Sequence, residues 1–118
     1  MGSSQNIHLS KEEFLCFLLI YASHIDYEFS KMERKFILSK FDSEVFEKME
    51  TLFNSQGDYD SLQLILSHRN NYFHSEDQVD SLISLLKMLF ASDGDYSRIE
   101  KNFLPFFLKM IDIKANES

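Results

Sequence analysis

The sequence predicts an all-α fold in a single domain. Its 118 residues are the usual length of one domain. Three glycines and one proline are too few for the many tight turns of a β-sandwich or barrel. Apolar residues recur at helical spacing, and Ser-x-x-Glu or Ser-x-x-Gln patterns precede several of these runs, as they do at helix starts. Together these observations favour a helical bundle, and the twelve phenylalanines indicate a phenylalanine-rich core.

The first predicted helix follows Ser10. Ser10 and Glu13 form a capping-box pattern in front of the apolar run at residues 14–22, and the helical pattern stops near His24. Cys16 lies inside this run, where a small buried hydrophobic residue is expected. As the single cysteine it cannot form an internal disulfide.

The second predicted helix begins at a second capping-box pattern, Ser30 with Glu33. It is expected to turn four apolar side chains inward: Met32, Phe36, Ile37 and Phe41. A third helix is expected from Asp42 or Ser43 to just before Ser55, where Ser-Gln-Gly interrupts the pattern. Its inward residues are expected to be Val45, Phe46, Met49, Leu52 and Phe53.

Three more helices are predicted in the second half. The first is capped by residues 58–60, buries an apolar side at residues 62–66 and fades at residues 69–71. Ser75 and Gln78 begin the most regular helical pattern, which ends at residues 92–94. The last helix starts at residues 97–100 and is expected to kink at Pro105. The expected domain covers residues 9–113; residues 1–8 are expected to be a flexible N-terminal tail that includes a cloning remnant, and residues 114–118 a flexible C-terminal tail.

The charge balance argues against nucleic acid as a partner. Twelve basic and nineteen acidic residues give a net charge of −7, which repels phosphate backbones. Six acids concentrate between residues 42 and 60, with Lys48 as the only base there. This run is interpreted as a solvated helix face, with a surface for a cation or a basic protein partner as the alternative. No apolar run is long enough to span a bilayer, so a cytoplasmic protein without membrane insertion is expected.

An internal repeat is the most informative feature. At an offset of 67, residues 26–33 align with residues 93–100, and both segments read Asp-x-acid-aromatic-Ser-base-apolar-Glu. Each copy lies between two apolar helical patterns. The sequence therefore predicts a repeated helix-loop-helix unit.

The carboxylates of the repeat are candidate ligands for a hard cation. Asp93, Asp95 and Ser97 alternate, and Glu100 follows, so one tight loop can turn several oxygens toward Ca²⁺ or Mg²⁺. If the two copies pack about a pseudo-two-fold axis, three acids of the first copy join this set: Asp26, Glu28 and Glu33. The alternative is structural, because Ser-x-x-Glu satisfies helix N-terminal amides and aspartate suits turns.

At residues 91–100, Ala-Ser-Asp-Gly-Asp-Tyr-Ser-Arg-Ile-Glu, the sequence resembles the tellurite-resistance TerB-like family, whose pattern is small-Asp-Gly-x-apolar-Ser-x-x-Glu. The first copy differs from that pattern at Ile25 and Tyr27. The resemblance extends over roughly residues 12–113. It implies a bundle of about six or seven helices with acidic loops that can bind a divalent metal ion, in a bacterial stress-response setting.

The function expected from this resemblance is a small TerB-like interaction module that binds a protein partner through an acidic face and a divalent ion through its acidic loops. It is expected to have no catalytic activity. Two alternatives stay open. One is a metal-dependent hydrolase with Asp26, Asp93 and Glu100 as ligands, and the other is a purely structural interaction domain.

Overall fold

The computed structural model describes residues 7–25, 31–73 and 75–92, together with Pro105 and Lys109. This part of the chain is helical and contains no strand, which confirms the all-α prediction. The elements are α1 (Lys11–Ile25), α2 (Lys31–Lys40), α3 (Ser43–Ser67), the one-turn α4 (Arg69–Tyr72) and α5 (Glu76–Ser92). The predicted last helix falls outside the described residues except at Pro105 and Lys109, which are both helical.

Helix α1 forms the centre of the fold. Phe14 and all residues from 16 to 23 are buried, so the helix is enclosed on every side and not only along one stripe. Its neighbours are α2, α5 and, most extensively, α3. Cys16 is fully buried, as its position in the apolar run predicts.

A break at Gly57 divides α3 into two helical segments. Gly57 has φ 81° and ψ 178°, a backbone conformation that glycine adopts without steric cost and side chains with a Cβ rarely adopt. The sequence predicted two helices separated here, and the separation is confirmed. The connection between the two segments is much shorter than the sequence predicts. Ser55 and Gln56 still belong to the first segment, and Asp58 already belongs to the second.

The inward prediction for α2 is wrong at Met32, which is 52% exposed. Glu33 and Ile37, one turn apart, define the buried face of α2, and Phe36 and Phe41 are partly buried beside it. Met32 lies about 100° around the helix from Glu33. The prediction failed because it placed Met32 inside on the strength of its apolar side chain, whereas the packing of α2 turns Glu33 inward at the neighbouring position.

Two predicted capping patterns are present as hydrogen bonds. The Ser10 amide donates to Glu13 Oε1 at 3.0 Å, and the Glu13 amide donates to Ser10 Oγ at 3.2 Å. The Gln78 amide donates to Ser75 Oγ at 3.2 Å. Glu13 Oε2 also accepts a hydrogen bond from Lys48 Nζ of α3 at 2.7 Å, which ties the start of α1 to α3.

These contacts make stability depend on pH in the acid range. The hydrogen bond from Lys48, followed by that from the Ser10 amide, lowers the pKa of Glu13 below its ordinary value of 4.5. A carboxylate whose pKa is lower in the folded state stabilises the fold at pH values above its unfolded-state pKa. This stabilisation is lost as the pH falls through the folded-state pKa. We expect Lys48→Met to reduce that loss, in urea unfolding measured from pH 6 to pH 3.

Because the Lys48–Glu13 pair is near the surface, Lys48→Met should lower the free energy of unfolding at neutral pH by at most about 1 kcal/mol. Lys87→Met, at an exposed position on α5, is the matched control and should leave the acid dependence unchanged. Parallel pH profiles for Lys48→Met and the original protein would contradict the assignment of the shift to Lys48.

Candidate functional site

The structure describes one of the seven predicted metal ligands. Glu33 lies in the first turn of α2 and is 2% exposed. The other six predicted ligands lie outside the described residues: Asp26, Glu28, Asp93, Asp95, Ser97 and Glu100. Within the described ranges, no group of three or more His, Cys, Asp or Glu side chains is placed to hold a metal ion.

Two buried oxygen-bearing side chains flank residues 26–30, the segment that contains Asp26 and Glu28. Glu33 lies after this segment, in α2, and Ser23 lies before it, in the last turns of α1. Ser23 is fully buried, and its hydroxyl has no hydrogen-bond partner in the described part of the chain. A buried hydroxyl without a partner is costly, and a buried carboxylate is rare in a helical core. Both side chains therefore mark the α1–α2 end of the bundle as chemically unusual.

His24 has a structural role at the same end of α1. Its Nδ1 donates to the carbonyl oxygen of Ile20 at 2.9 Å, and its ring lies 4.5 Å from the ring of Phe53. The side chain is half-buried, as expected for a histidine beside a loop. These contacts orient the ring toward α3.

His68 is the residue whose importance sequence reasoning missed. It is 2% exposed and follows directly after α3. Its Nδ1 donates to the carbonyl oxygen of Leu64 at 2.9 Å, and its Nε2 accepts a hydrogen bond from the Leu9 amide at 2.9 Å. The Tyr72 hydroxyl donates to the Leu9 carbonyl at 2.7 Å. We call His68, Tyr72 and the Leu9 peptide the N-terminal clamp, because they hold the chain in front of α1 against the end of α3.

The exposed side of α3 is strongly acidic. Glu44 and Glu47 are one turn apart and exposed, and Asp42 precedes them at the helix start. Asp58 and Asp60, also exposed, follow the Gly57 break. We call these five acids the acidic surface of α3. In the described ranges, the ion pairs that α3 makes use its other charged residues, Lys48 and Glu50, so none of the five is neutralised by an ion pair.

The cysteine is not equipped for nucleophilic chemistry. Burial raises the pKa of the Cys16 thiol to about 12, and the negative charges of Glu12 and Glu50 add to the rise. A thiol with so high a pKa is almost entirely protonated at neutral pH, and the thiolate is the reactive species. The sequence interpretation of Cys16 as a buried hydrophobic residue fits this environment.

We expect Cys16 to react with a thiol-specific disulfide reagent at pH 8 at least about a hundredfold more slowly in the native protein than in concentrated urea, because reaction requires opening of the core. Absorbance of the released thiolate measures both rates. Equal rates in the two conditions would contradict the burial of this side chain.

Comparison with known proteins adds no relatives. No protein-family model matches the sequence, and searches of curated proteins and of solved structures give no match either. The TerB-like resemblance therefore stays a prediction that depends on the repeated acidic motif. Among the described helices, none is both long and apolar enough to cross a membrane.

Proposed function

We propose that this chain is a cytoplasmic TerB-like interaction module. In this proposal the two acidic loops together bind one divalent cation, Ca²⁺ or Mg²⁺, and the acidic surface of α3 binds a basic segment of a protein partner. The observation that carries it is the aligned acidic repeat of residues 26–33 and 93–100, whose one described ligand, Glu33, is buried where α2 begins. The finer architecture, with about six or seven helices and two repeated helix-loop-helix units, belongs to the same proposal.

Burial of Glu33 supports a cation site because it fixes the carboxylate. An exposed glutamate samples many rotamers, whereas a buried one is oriented by its neighbours and loses little entropy when it binds an ion. Hard cations prefer several oxygen ligands, and the hydroxyl of Ser23 is a further buried oxygen at the same end of the bundle. Each loop alone offers too few ligands, so the proposal requires both copies.

The acidic surface of α3 supports the partner role. Its five acids are exposed and carry no ion pair in the described part of the chain, so a basic segment can approach without displacing an existing contact. Complementary charge accelerates association and selects the partner. We expect the association rate to fall steeply with added salt.

A purely structural role for the repeat is the competing function, and the Ser10–Glu13 pair favours it. In that Ser-x-x-Glu pattern the two residues cap the helix reciprocally, each backbone amide donating to the other residue's side chain. Ser30 with Glu33 and Ser97 with Glu100 have the same spacing. Glu33 differs from Glu13 in being buried, so the two interpretations predict different behaviour toward metal ions.

Calorimetric titration of the metal-free protein with Ca²⁺, Mg²⁺, Mn²⁺ and Zn²⁺ distinguishes a cation site from a purely structural role of the repeat. We expect saturable binding of a hard cation that is lost in Asp93→Asn and in Glu33→Gln, because each variant removes one charged ligand. Glu47→Gln, on the acidic surface, is the matched control and should bind normally. Binding that survives in both Asp93→Asn and Glu33→Gln, or no heat from any ion with a folded sample, would leave helix capping as the role of the repeat.

Ser23→Ala gives an independent prediction. Removing a buried hydroxyl that has no hydrogen-bond partner should leave the metal-free protein equally stable or stabilise it by about 1 kcal/mol. If Ser23 supplies a ligand, the same variant should bind the cation more weakly. Chemical unfolding and the titration measure the two effects separately, and a clear loss of stability without metal would contradict the unpartnered state of this hydroxyl.

A further inference from the structure

A groove of about 340 Å³ lies where the N-terminal halves of α1 and α5 meet α4. Its floor is apolar and is formed by Leu15 of α1, Leu82 and Leu85 of α5, and the ring of Tyr72. The volume is within the range of about 300 to 1,000 Å³ that binding pockets occupy. None of the described residues that line the groove belongs to the acidic segments 26–33 and 93–100 or to the acidic surface of α3.

The apolar floor is accessible from the groove. Leu82 is buried, but Leu15, Leu85 and Tyr72 are only half-buried, although they belong to the hydrophobic core or pack against it. Leu82 and Leu85 are one turn apart on α5, so they form a continuous apolar wall. An occupant that covers this wall removes apolar surface from water and is stabilised by about 25 cal/mol for each Å² buried.

Among the residues that the structure describes, the rim of the groove carries one charge of each sign. Lys11, the first residue of α1, and Asp77, in the first turn of α5, both line it and are both exposed. No salt bridge in the described ranges involves either residue. A ligand with a single charge leaves one of the two unmatched, whereas a peptide segment can present an acid and a base together.

We propose that this groove binds an amphipathic helix of a partner protein. The helix places two apolar side chains, one turn apart, on the leucine floor, and it pairs a carboxylate with Lys11 and a basic side chain with Asp77. Helices seat apolar residues at i and i+4 in grooves between two other helices by ridge-into-groove packing. The proposal does not require cation binding, because none of the four residues it uses, Lys11, Asp77, Leu82 and Leu85, is a proposed metal ligand.

Selection from a displayed library of helical peptides tests this proposal, with leucine fixed at two positions one turn apart and the flanking positions randomised. Selections are run in parallel against the original protein and against Lys11→Glu, an exposed substitution that leaves the core intact. Peptides selected by the original protein should carry an acid next to one leucine. Those selected by Lys11→Glu should carry a base at the same position.

Two α5 variants locate the binding. Leu85→Lys places a charge on the floor of the groove and should lower the affinity for the selected peptides at least about tenfold, a loss typical of an interface anchor. Ser84→Lys adds the same charge at an exposed position that does not line the groove and should change affinity less than about twofold. Circular dichroism confirms that both variants are folded.

Three results would overturn the proposal. The first is that no peptide binds, the second is that Leu85→Lys does not weaken the selected peptides, and the third is that the charge preference is the same for Lys11→Glu and the original protein. None of these results bears on the calorimetric test of the cation site. Failure of the groove proposal is therefore distinguishable from failure of the proposed function.

Discussion

Replacing His68 with alanine should destabilise the protein by about 3 kcal/mol, because it combines a lost acceptor with a cavity in the core. The substitution leaves the Leu9 amide and the Leu64 carbonyl without their partner on this ring. It also removes ring contacts, including the stacked ring of Tyr72 at 5.8 Å between centroids. Chemical unfolding monitored by circular dichroism measures the loss.

Two further variants assign this loss to the N-terminal clamp. His68→Gln keeps a polar group near the position of Nε2 and should recover part of the stability. Tyr72→Phe removes only the hydrogen bond to the Leu9 carbonyl and should cost about 1 kcal/mol. Amide hydrogen exchange at Leu9 should accelerate in His68→Ala. Unchanged exchange together with unchanged stability would contradict the clamp.

Phe14→Ala should destabilise the protein by about 4 kcal/mol, more than His68→Ala does. Phe14 is fully buried, and its ring centroid lies 5.0 Å from that of Tyr72 and 5.7 Å from those of His68 and Phe73. It therefore joins the start of α1 to the chain that connects α3 with α5. Because the free energy of unfolding of a domain is about 5 to 15 kcal/mol, this substitution removes a large part of the stability.

Met32→Ala is the control for Phe14→Ala. It also shortens a large apolar side chain, but Met32 is 52% exposed. We expect a change within about 0.5 kcal/mol, as for ordinary surface positions. A large loss in Met32→Ala would mean that the sequence-based inward assignment was correct and that the orientation of α2 is different. Urea unfolding of both variants, compared with the original protein, measures the contrast.

Local sequence signals predicted the helix starts well. The expected hydrogen bonds form between Ser10 and Glu13 and between Ser75 and Gln78. Each joins a serine to the residue three positions further along, so it does not depend on tertiary contacts. The break at Gly57 was also predictable, since few other residues adopt its positive φ. These features depend on the backbone and its nearest neighbours.

Features that depend on tertiary packing were not predictable in the same way. The apolar side chain of Met32 is exposed and the carboxylate of Glu33 is buried, which is the reverse of what their polarity predicts. The packing of α2 against its neighbours decides which of the two faces inward. The hydrogen bond from the Leu9 amide to His68 spans 59 residues, so no pattern near His68 indicates it. For the candidate metal site, the sequence supplied the ligand types and their repeat, and the structure adds the burial of Glu33 and of Ser23.

The proposed cation site joins the two acidic segments, residues 26–33 and residues 93–100. The most direct test adds a single equivalent of Mn²⁺ to metal-free, ¹⁵N-labelled protein and measures the paramagnetic broadening of each amide signal. We expect strong broadening at both residues 26–33 and residues 93–100, with equal concentration dependence, and little at the acidic surface of α3. Broadening confined to the acidic surface, or to only one of the two loops, would contradict a shared site.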